Sequence, residues 1–286
     1  MRSVLNTNPS ASRIIAVNEK VTGPPAAEML RRCEITNPQL NILDNACGGG
    51  ILTAEVLRLA AQQPEGFHLD KVVAGDIDEQ MLSYVRQRKE NNTVAQPNAW
   101  EIVTAERIDQ QDIPYPAGTF THIFNNFGVF FCPDDTKAMS ETLRALKHGG
   151  TAGFTSWKNI SWWSEIAQPA LAEYIPEAPT LPAPGQLFPN RGWSDPSVIP
   201  GKMQSVGFTD VRVDEYSFTP NVEPADFAEA MAVLVKVGTK RLWSEDENKE
   251  FAGRIENALL HYMKGKWEGG RWTGKMVAIM ALGKKA

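Results

Sequence analysis

The stretch NILDNACGGGILTAEVL, residues 41–57, decides the fold. Asn41 to Leu43 read as a short buried strand that Asp44 closes, and Ile51 to Leu59 carry apolar residues at helical spacing. Between them, Gly48 to Gly50 permit backbone conformations and close approaches that a Cβ would obstruct. A strand-turn-helix of this kind directs backbone N–H groups and a helix N-terminus at one small ligand. On these residues alone, several nucleotide-like ligands fit.

Downstream, Lys71 to Ala74 form a second short strand that runs into Gly75-Asp76-Ile77-Asp78, and Glu79 to Lys89 a helix. Asp78 is placed to cap that helix, and Met81, Leu82 and Val85 form its apolar stripe. An acid at the end of the second strand of a βαβ unit lies where a nucleoside ribose presents two hydroxyls, and a carboxylate accepts both hydrogen bonds. Asp76 is expected in that role. Loops are expected at 62–70 and 91–98, and a third strand at Trp100 to Ile108. Asp109 and the Ala117-Gly118 turn follow, then a fourth strand, Thr121 to Asn125, leading into Asn126-Phe127-Gly128. A helix is expected from Asp134 to Lys147, with Met139, Leu143 and Leu146 on one face and a stop at Gly149-Gly150, and a fifth strand at Thr151 to Ser156. Strand and helix alternate without repeats from residue 40 to 157. That pattern predicts an α/β fold with a doubly wound parallel sheet and a ligand outside the C-terminal ends of its strands.

The flanks are less regular. Residues 1 to about 20 are polar, Gly23-Pro24-Pro25 break the chain, and Ala26 to Arg32 lead helically toward the first strand, so 1–32 read as a tail and leading helix. That tail is either a disordered terminus or a flap over the site. The ligand-binding α/β core is expected at 33–157. An insertion at 158–194 carries several prolines and, with its border, Trp157, Trp162, Trp163 and Trp193. These tryptophans read either as the insertion's own small core or as an aromatic substrate pocket lined from below by Phe127, Phe130 and Phe131.

The rest of a single main domain, with added helices, is expected at 195–286. Asp195-Pro196 open a short helix that ends at Gly207, Val211 to Phe218 form a sixth strand, and Pro224 opens a helix with Phe227, Met231 and Leu234 on one face. Ser244 and Glu247 have capping-box spacing before a longer helix carrying Phe251, Ile255, Leu259 and Tyr262. A last strand, Lys275 to Leu282, is expected antiparallel beside the sixth.

The chain has 286 residues, 42% of them hydrophobic, and a net charge of -5, which gives no overall basic field. Lys/Arg runs are lacking too, so a small molecule rather than nucleic acid is expected as substrate. Cys33, Cys47 and Cys132 are scattered without metal-ligand spacing, which argues against a zinc site and for a reducing compartment. Neither a signal-type apolar region nor a membrane-length apolar window occurs, so a cytoplasmic protein, monomeric or homodimeric and without a membrane partner, is expected.

Four features in order, LDNACGGG, the acid of GDID, D-x-x-x-I-P-Y before a turn and Phe, and LKHGG before a strand, resemble the class I S-adenosylmethionine-dependent methyltransferases. More narrowly, their spacing is similar to the branch that acts on quinones, lipids and secondary metabolites. The resemblance covers residues 40–157 and, weakly, 195–218 and 273–284. It implies a Rossmann-like sheet of seven mostly parallel strands, the last antiparallel, with a loop and helix cap over the substrate.

The resemblance further implies S-adenosyl-L-methionine as cofactor. Asp44 and the backbone of Ala46, Cys47 and Gly48 would hold its methionine end, with Gly50 opening the helix. Asp76 would take the ribose hydroxyls, Ile77 and Met81 would lie against the adenine, Ile108 would flank it, and Asp109 would meet its amino group. Carbonyls near Asn125 and Asn126 would face the methionine ammonium. Ala46 stands where the family's pattern has its first glycine, and Thr121 where an acid is common. A nicotinamide fingerprint is excluded by Thr53 three residues after Gly50, and a P-loop by the missing Gly-Lys-Ser/Thr.

No catalytic acid or base declares itself: His68, His122, His148 and His261 are badly placed, His148 being best explained by the helix dipole. Transfer from a sulfonium can proceed by proximity, orientation and desolvation. The expected activity is methylation of O, N or S of an apolar small molecule in secondary metabolism. Alternatives are a cofactor-dependent rearrangement without methyl loss, or a regulatory protein that retains the fold.

Overall fold

The structure is a computed structural model that describes residues 9–33, 35, 39–62, 68–91, 99–183 and 190–286. The loops expected at 62–70 and 91–98 lie mostly outside the described residues, as do residues 1–8 of the tail.

Two helices come first, α1 (Pro9–Val21) and α2 (Gly23–Arg32), then β1 (Gln39–Asn45), α3 (Ile51–Gln62), β2 (His68–Asp76), α4 (Glu79–Asn91) and β3 (Val103–Arg107). Next come β4 (Phe120–Asn126), α5 (Asp135–Ala145), β5 (Leu146–Asn159), α6 (Gln168–Tyr174), α7 (Ile199–Ser205) and β6 (Phe208–Phe218). The chain closes with α8 (Pro224–Leu242), α9 (Glu245–Phe251), α10 (Ile255–Lys266) and β7 (Met276–Lys285). The seven strands form one sheet in the order β3-β2-β1-β4-β5-β7-β6, and the pairs from β3 to β5 are parallel. Strand β7 is antiparallel: Lys285 Nζ donates to the Leu146 carbonyl at 2.8 Å, so the end of β7 lies at the start of β5.

Alternation of side chains along each strand builds two apolar layers. Ile42, Val72 and Phe124 face the layer completed by α2, α3 and α4, while their neighbours Leu43, Val73 and Ile123 face the one completed by α5 and α7. Thr121 fixes β4 against β1. Its hydroxyl donates to the Asn41 carbonyl at 3.0 Å and accepts the Asn41 N–H at 3.1 Å. The position where the family commonly has an acid thus performs a strand-pinning task with a neutral group.

The chain divides into two compact units. One comprises residues 22–158, 188–216 and 277–286, which include the sheet and the helices on its faces. The other comprises residues 1–21, 159–187 and 217–276. Within it, α1 packs on α8, and α10 on α8 and α6. This grouping differs from the expected segments: residues 217–276 fold with 159–183 rather than with the sheet, and the leading region is split after Val21. The tail is not structureless where it is described. Residues 9–21 are helical, and α2 buries Ala26, Met29 and Leu30 in the core.

Several local expectations need correction. Helix α5 ends at Ala145, not at Gly149, because Leu146 turns extended and pairs with Phe120 of β4. His148 therefore sits on a strand rather than at a helix end, and its Nδ1 lies 2.6 Å from the Ala286 carbonyl oxygen. On α8 the buried large residues are Phe227, Met231 and Val235, whereas Leu234 is 44% exposed. Asp195 bonds Ser197 in a turn, and α7 begins only at Ile199 with Pro200 in its first turn. The long C-terminal helix is interrupted by a 3₁₀ turn at Ala252–Arg254, although the capping box of Ser244 and Glu247 forms as expected.

Candidate functional site

The C-terminal ends of β1, β2 and β4 bring the candidate polar residues together. At the end of β1, Asp44 is wholly buried, and its Oδ2 accepts the N–H of Thr53 at 2.9 Å and its hydroxyl at 2.7 Å. Its other oxygen, and both side-chain polar atoms of the adjacent Asn45, are buried without a hydrogen-bond partner among the described residues. Buried orphan groups of this kind are expensive and call for an explanation. Burial, reinforced by the negative charge of Asp76, pushes the Asp44 carboxyl up to about 7.

The turn after β1 is built by left-handed residues. Ala46 has φ 61° and Gly48 φ 53°, and a Cβ placed on Gly48 would meet nothing within 4 Å. The loop backbone is therefore open on that side. It is held to β2 by Asp76, whose Oδ2 accepts the Gly48 N–H at 2.8 Å and whose Oδ1 accepts the Asp78 N–H at 2.9 Å. Each oxygen has a further lone pair for a hydroxyl donor. Ile77, next along, is 56% exposed, an apolar surface beside a buried carboxylate. Met81, on the first turns of α4, is half-buried. Cys47 is buried between the two carboxylates, and its thiol is pushed well above the ordinary range by burial and by their charge. It is no nucleophile in this setting.

Beyond β3, Ile108 is buried against Gly75. Asp109 takes the Gln111 N–H on Oδ1 at 2.9 Å. Beyond β4, Asn125 donates to Gln110 Oε1 at 2.9 Å and accepts the Gly128 N–H at 3.0 Å. Asn126 accepts the Thr155 hydroxyl at 2.8 Å and donates to the Thr22 carbonyl at 3.4 Å. Phe127, at φ 60°, gives its N–H to that same Thr155 oxygen at 2.9 Å and stacks on Trp157 with centroids 4.0 Å apart and 19° between planes. Phe130 is buried against the partly exposed Phe131.

The four tryptophans divide between the two units. Trp157 and Trp193 belong to the unit that holds the sheet, Trp162 and Trp163 to the helical unit. Trp193 is a core residue: its indole N–H donates to Asp135 at 2.7 Å, and its ring lies against Phe154. In the helical unit, Trp162 packs edge-on against Trp163 and Phe227, and Trp163 donates to the Pro182 carbonyl at 2.8 Å. Residues that sequence reading did not single out include Asn45, Gln110, Thr155 and Arg88. Their signal lies in polar side chains at strand ends and in one cation on an apolar helix face, patterns that need the fold before they stand out.

A sheet of this order, with an acid and an open loop after β1 and a second acid after β2, defines a class of protein: α/β enzymes that hold a nucleoside-bearing cofactor at the strand ends. Residues 43–154 match the family model described as a methyltransferase domain. The chain is 27% identical to methyltransferase tpcH of Aspergillus fumigatus, covering 86% of this chain and 85% of that one. It is 29% identical to acetylaranotin bis-thiomethyltransferase of Aspergillus terreus, covering 87% and 84%. Among solved structures, the YcgJ protein of Bacillus subtilis shares the fold at TM-score 0.54 and 13% identity, covering 92% of this chain and 98% of that one. The [4+2]-cyclase SpnF shares it at TM-score 0.53 and 14% identity, covering 93% and 82%. The matched domain and the named relatives support an S-adenosylmethionine-dependent methyltransferase of small-molecule type, with S-adenosyl-L-methionine as its cofactor.

The residues present fit that cofactor. Asp44 Oδ1 and the Asn45 amide are buried donors and acceptors in need of partners, and the face of Gly48 leaves room for a ligand's polar end. No helix among the described residues is long and apolar enough to cross a membrane.

Proposed function

We propose that this enzyme methylates O, N or S of a largely apolar small molecule of secondary metabolism, acting in the cytoplasm as a monomer or homodimer. The observation that carries the cofactor half of this reading is the pair of buried carboxylates, Asp44 and Asp76, flanking the open face of Gly48. When bound, S-adenosyl-L-methionine supplies a sulfonium methyl for in-line displacement.

The chain's residues do the holding. Asp44, with the backbone of Ala46, Cys47, Gly48 and Gly50, takes the methionine end. Asp76 accepts the ribose hydroxyls on lone pairs that Gly48 and Asp78 leave over. Ile77 and Met81 cover one side of the adenine, Ile108 flanks it, and Asp109 accepts from its amino group. The carbonyls of Asn125 and Asn126 face the ammonium, their side chains being occupied in fixing the turn.

On the acceptor side, the stacked pair Phe127 and Trp157, with Phe130 and Phe131, presents an aromatic wall that excludes water from the transferring methyl. The chain resembles fungal enzymes named as methyltransferases, one of them a bis-thiomethyltransferase, which supports a secondary metabolite and keeps sulfur among the candidate acceptor atoms.

Calorimetry with S-adenosylhomocysteine tests the cofactor assignments. Binding by the wild type and a loss of about a hundredfold in Asp76→Ala are expected, as two charge-assisted hydrogen bonds are worth roughly 3 kcal/mol or more. Unchanged affinity in that variant removes Asp76 from the ribose role. Incubation with cell extract and methyl-labelled cofactor then identifies the acceptor and its atom. Label appearing on carbon overturns the heteroatom reading.

A further inference from the structure

Behind the glycine loop lies a buried cation that the cofactor assignments do not use. Arg88, near the end of α4, is buried, and its Nη1 donates to the Gly49 carbonyl at 3.3 Å. Its guanidinium carbon lies 5.3 Å from the centroid of the Trp100 ring, a cation-π arrangement. Trp100 is wholly buried, and a Cβ on Gly50 would come within 3.6 Å of it, so ring and cation back the loop together. An arginine so enclosed is costly unless a negative charge nearby offsets it.

The Asp44 carboxylate supplies part of that charge. The hydrogen bonds to Asp44 and Asp76 come from Thr53, Gly48 and Asp78, all neutral donors, and Arg88 acts electrostatically to favour ionised Asp44. We infer that Arg88 is a positioning residue for methyl transfer: it holds the carbonyl side of the Gly48–Gly50 loop and offsets the negative charge of Asp44. This role rests on the reading of that loop as the cofactor's.

The surrounding charges set the direction of its pH effect. Burial and Asp76 raise Asp44, while the Thr53 bonds and Arg88 lower it. Asp76 is itself raised by burial, with Asp78 adding to the effect. Cys47 stays a neutral thiol, and on α3 Glu55 and Arg58 pair with each other. Loss of the Arg88 charge therefore makes Asp44 harder to ionise. Since an ionised Asp44 adds its negative charge to the Asn125 and Asn126 carbonyls in drawing the cationic methionine end, binding must then weaken at a higher pH than in the wild type.

The test is calorimetric titration of S-adenosylhomocysteine into wild type, Arg88→Lys and Arg88→Met between pH 5.5 and 9, with thermal melts of each. Arg88→Met is expected to bind about tenfold more weakly near pH 7, its acid limb displaced upward by about one unit. Arg88→Lys, which keeps the charge but not the planar fork, is expected to show the wild-type limb with a severalfold weaker plateau. A lower melting temperature with an unmoved limb in Arg88→Met overturns the inference, because a purely structural residue behaves that way. If Arg88→Met does not fold, a plateau in Arg88→Lys equal to wild type overturns it as well. Wild type that binds at no pH overturns the cofactor reading itself.

Discussion

The ends of β1 and β4 are neighbours in the sheet and are built on the same local device, yet they are finished in opposite ways. Each turns through a left-handed non-glycine residue, Ala46 at φ 61° and Phe127 at φ 60°. After β1, polar groups are left wanting, in Asp44 Oδ1 and the Asn45 amide. After β4, the Asn125 and Asn126 side chains are paired at both ends, and Thr155 closes the turn. One end is prepared to receive a polar ligand. The other is prepared to stay still while presenting an aromatic face. Strain is tolerable in both because the surrounding bonds over-determine it.

The most damaging way to break this contrast is to force the two ends apart. A Cβ on Gly128 would come within 2.5 Å of the Ala46 Cβ and 2.9 Å of Asn125 Oδ1. Gly128→Ala is expected to destabilise the protein by about 3 kcal/mol, readable by denaturant unfolding, and to weaken S-adenosylhomocysteine binding as well. Next comes Thr155→Val, which leaves the Phe127 N–H and Asn126 Oδ1 without their shared partner. A loss of about 2 kcal/mol is expected from the same measurement. Stability unchanged by this substitution would mean that the β4 turn does not need its closure.

Titration of Asp44 sharpens the comparison from the other side. Its folded carboxyl, at about 7, holds a proton more tightly than the unfolded chain does. The stabilisation this gives is full below the ordinary carboxylate range and is lost as pH rises through about 7. Ligand-free wild type is thus expected to lose about 1.4 kcal/mol between pH 6 and 8 that Asp44→Asn does not lose. Cofactor binding, which favours the ionised form, should release protons in that window, visible as a buffer-dependent heat. The smallest effect belongs to Ala46→Gly, expected to stabilise by about 0.5 kcal/mol as the left-handed strain is relieved.

Much of this was legible in the chain alone. The buried strands β1, β2 and β4 announce themselves as apolar runs ending in Asp44, Asp76 and Asn126, because a strand buried on both faces has no choice of residue type. The glycine loop and the acid of GDID followed from the same order. What escaped were features decided by partners distant in sequence. Helix α1 lies in a stretch read as a polar tail, and its buried Val17 and Val21 gain their meaning only once α1 packs on α8. Leu146 leaves the helix because Phe120 offers it a strand partner. Trp193 reads as a pocket residue until Asp135 takes its N–H. Arg88 is one of several cations on a polar helix until the fold encloses it.

The Thr121 hydroxyl that fastens β4 to β1 also has a consequence for the order of assembly. It joins residues 80 apart in sequence, so β1 lacks a neighbour on that side until more than a quarter of the chain has been brought back to it. Loop closure of this length adds little to the equilibrium cost but slows folding. Until β4 docks, Asp44 remains in water, and the roughly 4 kcal/mol opposing its burial in ionised form arises only on the native side of the barrier. Asp44→Asn should therefore retard unfolding and leave the folding rate nearly untouched. A ligand that neutralises the same carboxylate would act likewise, lengthening the lifetime of the native enzyme without hastening its formation.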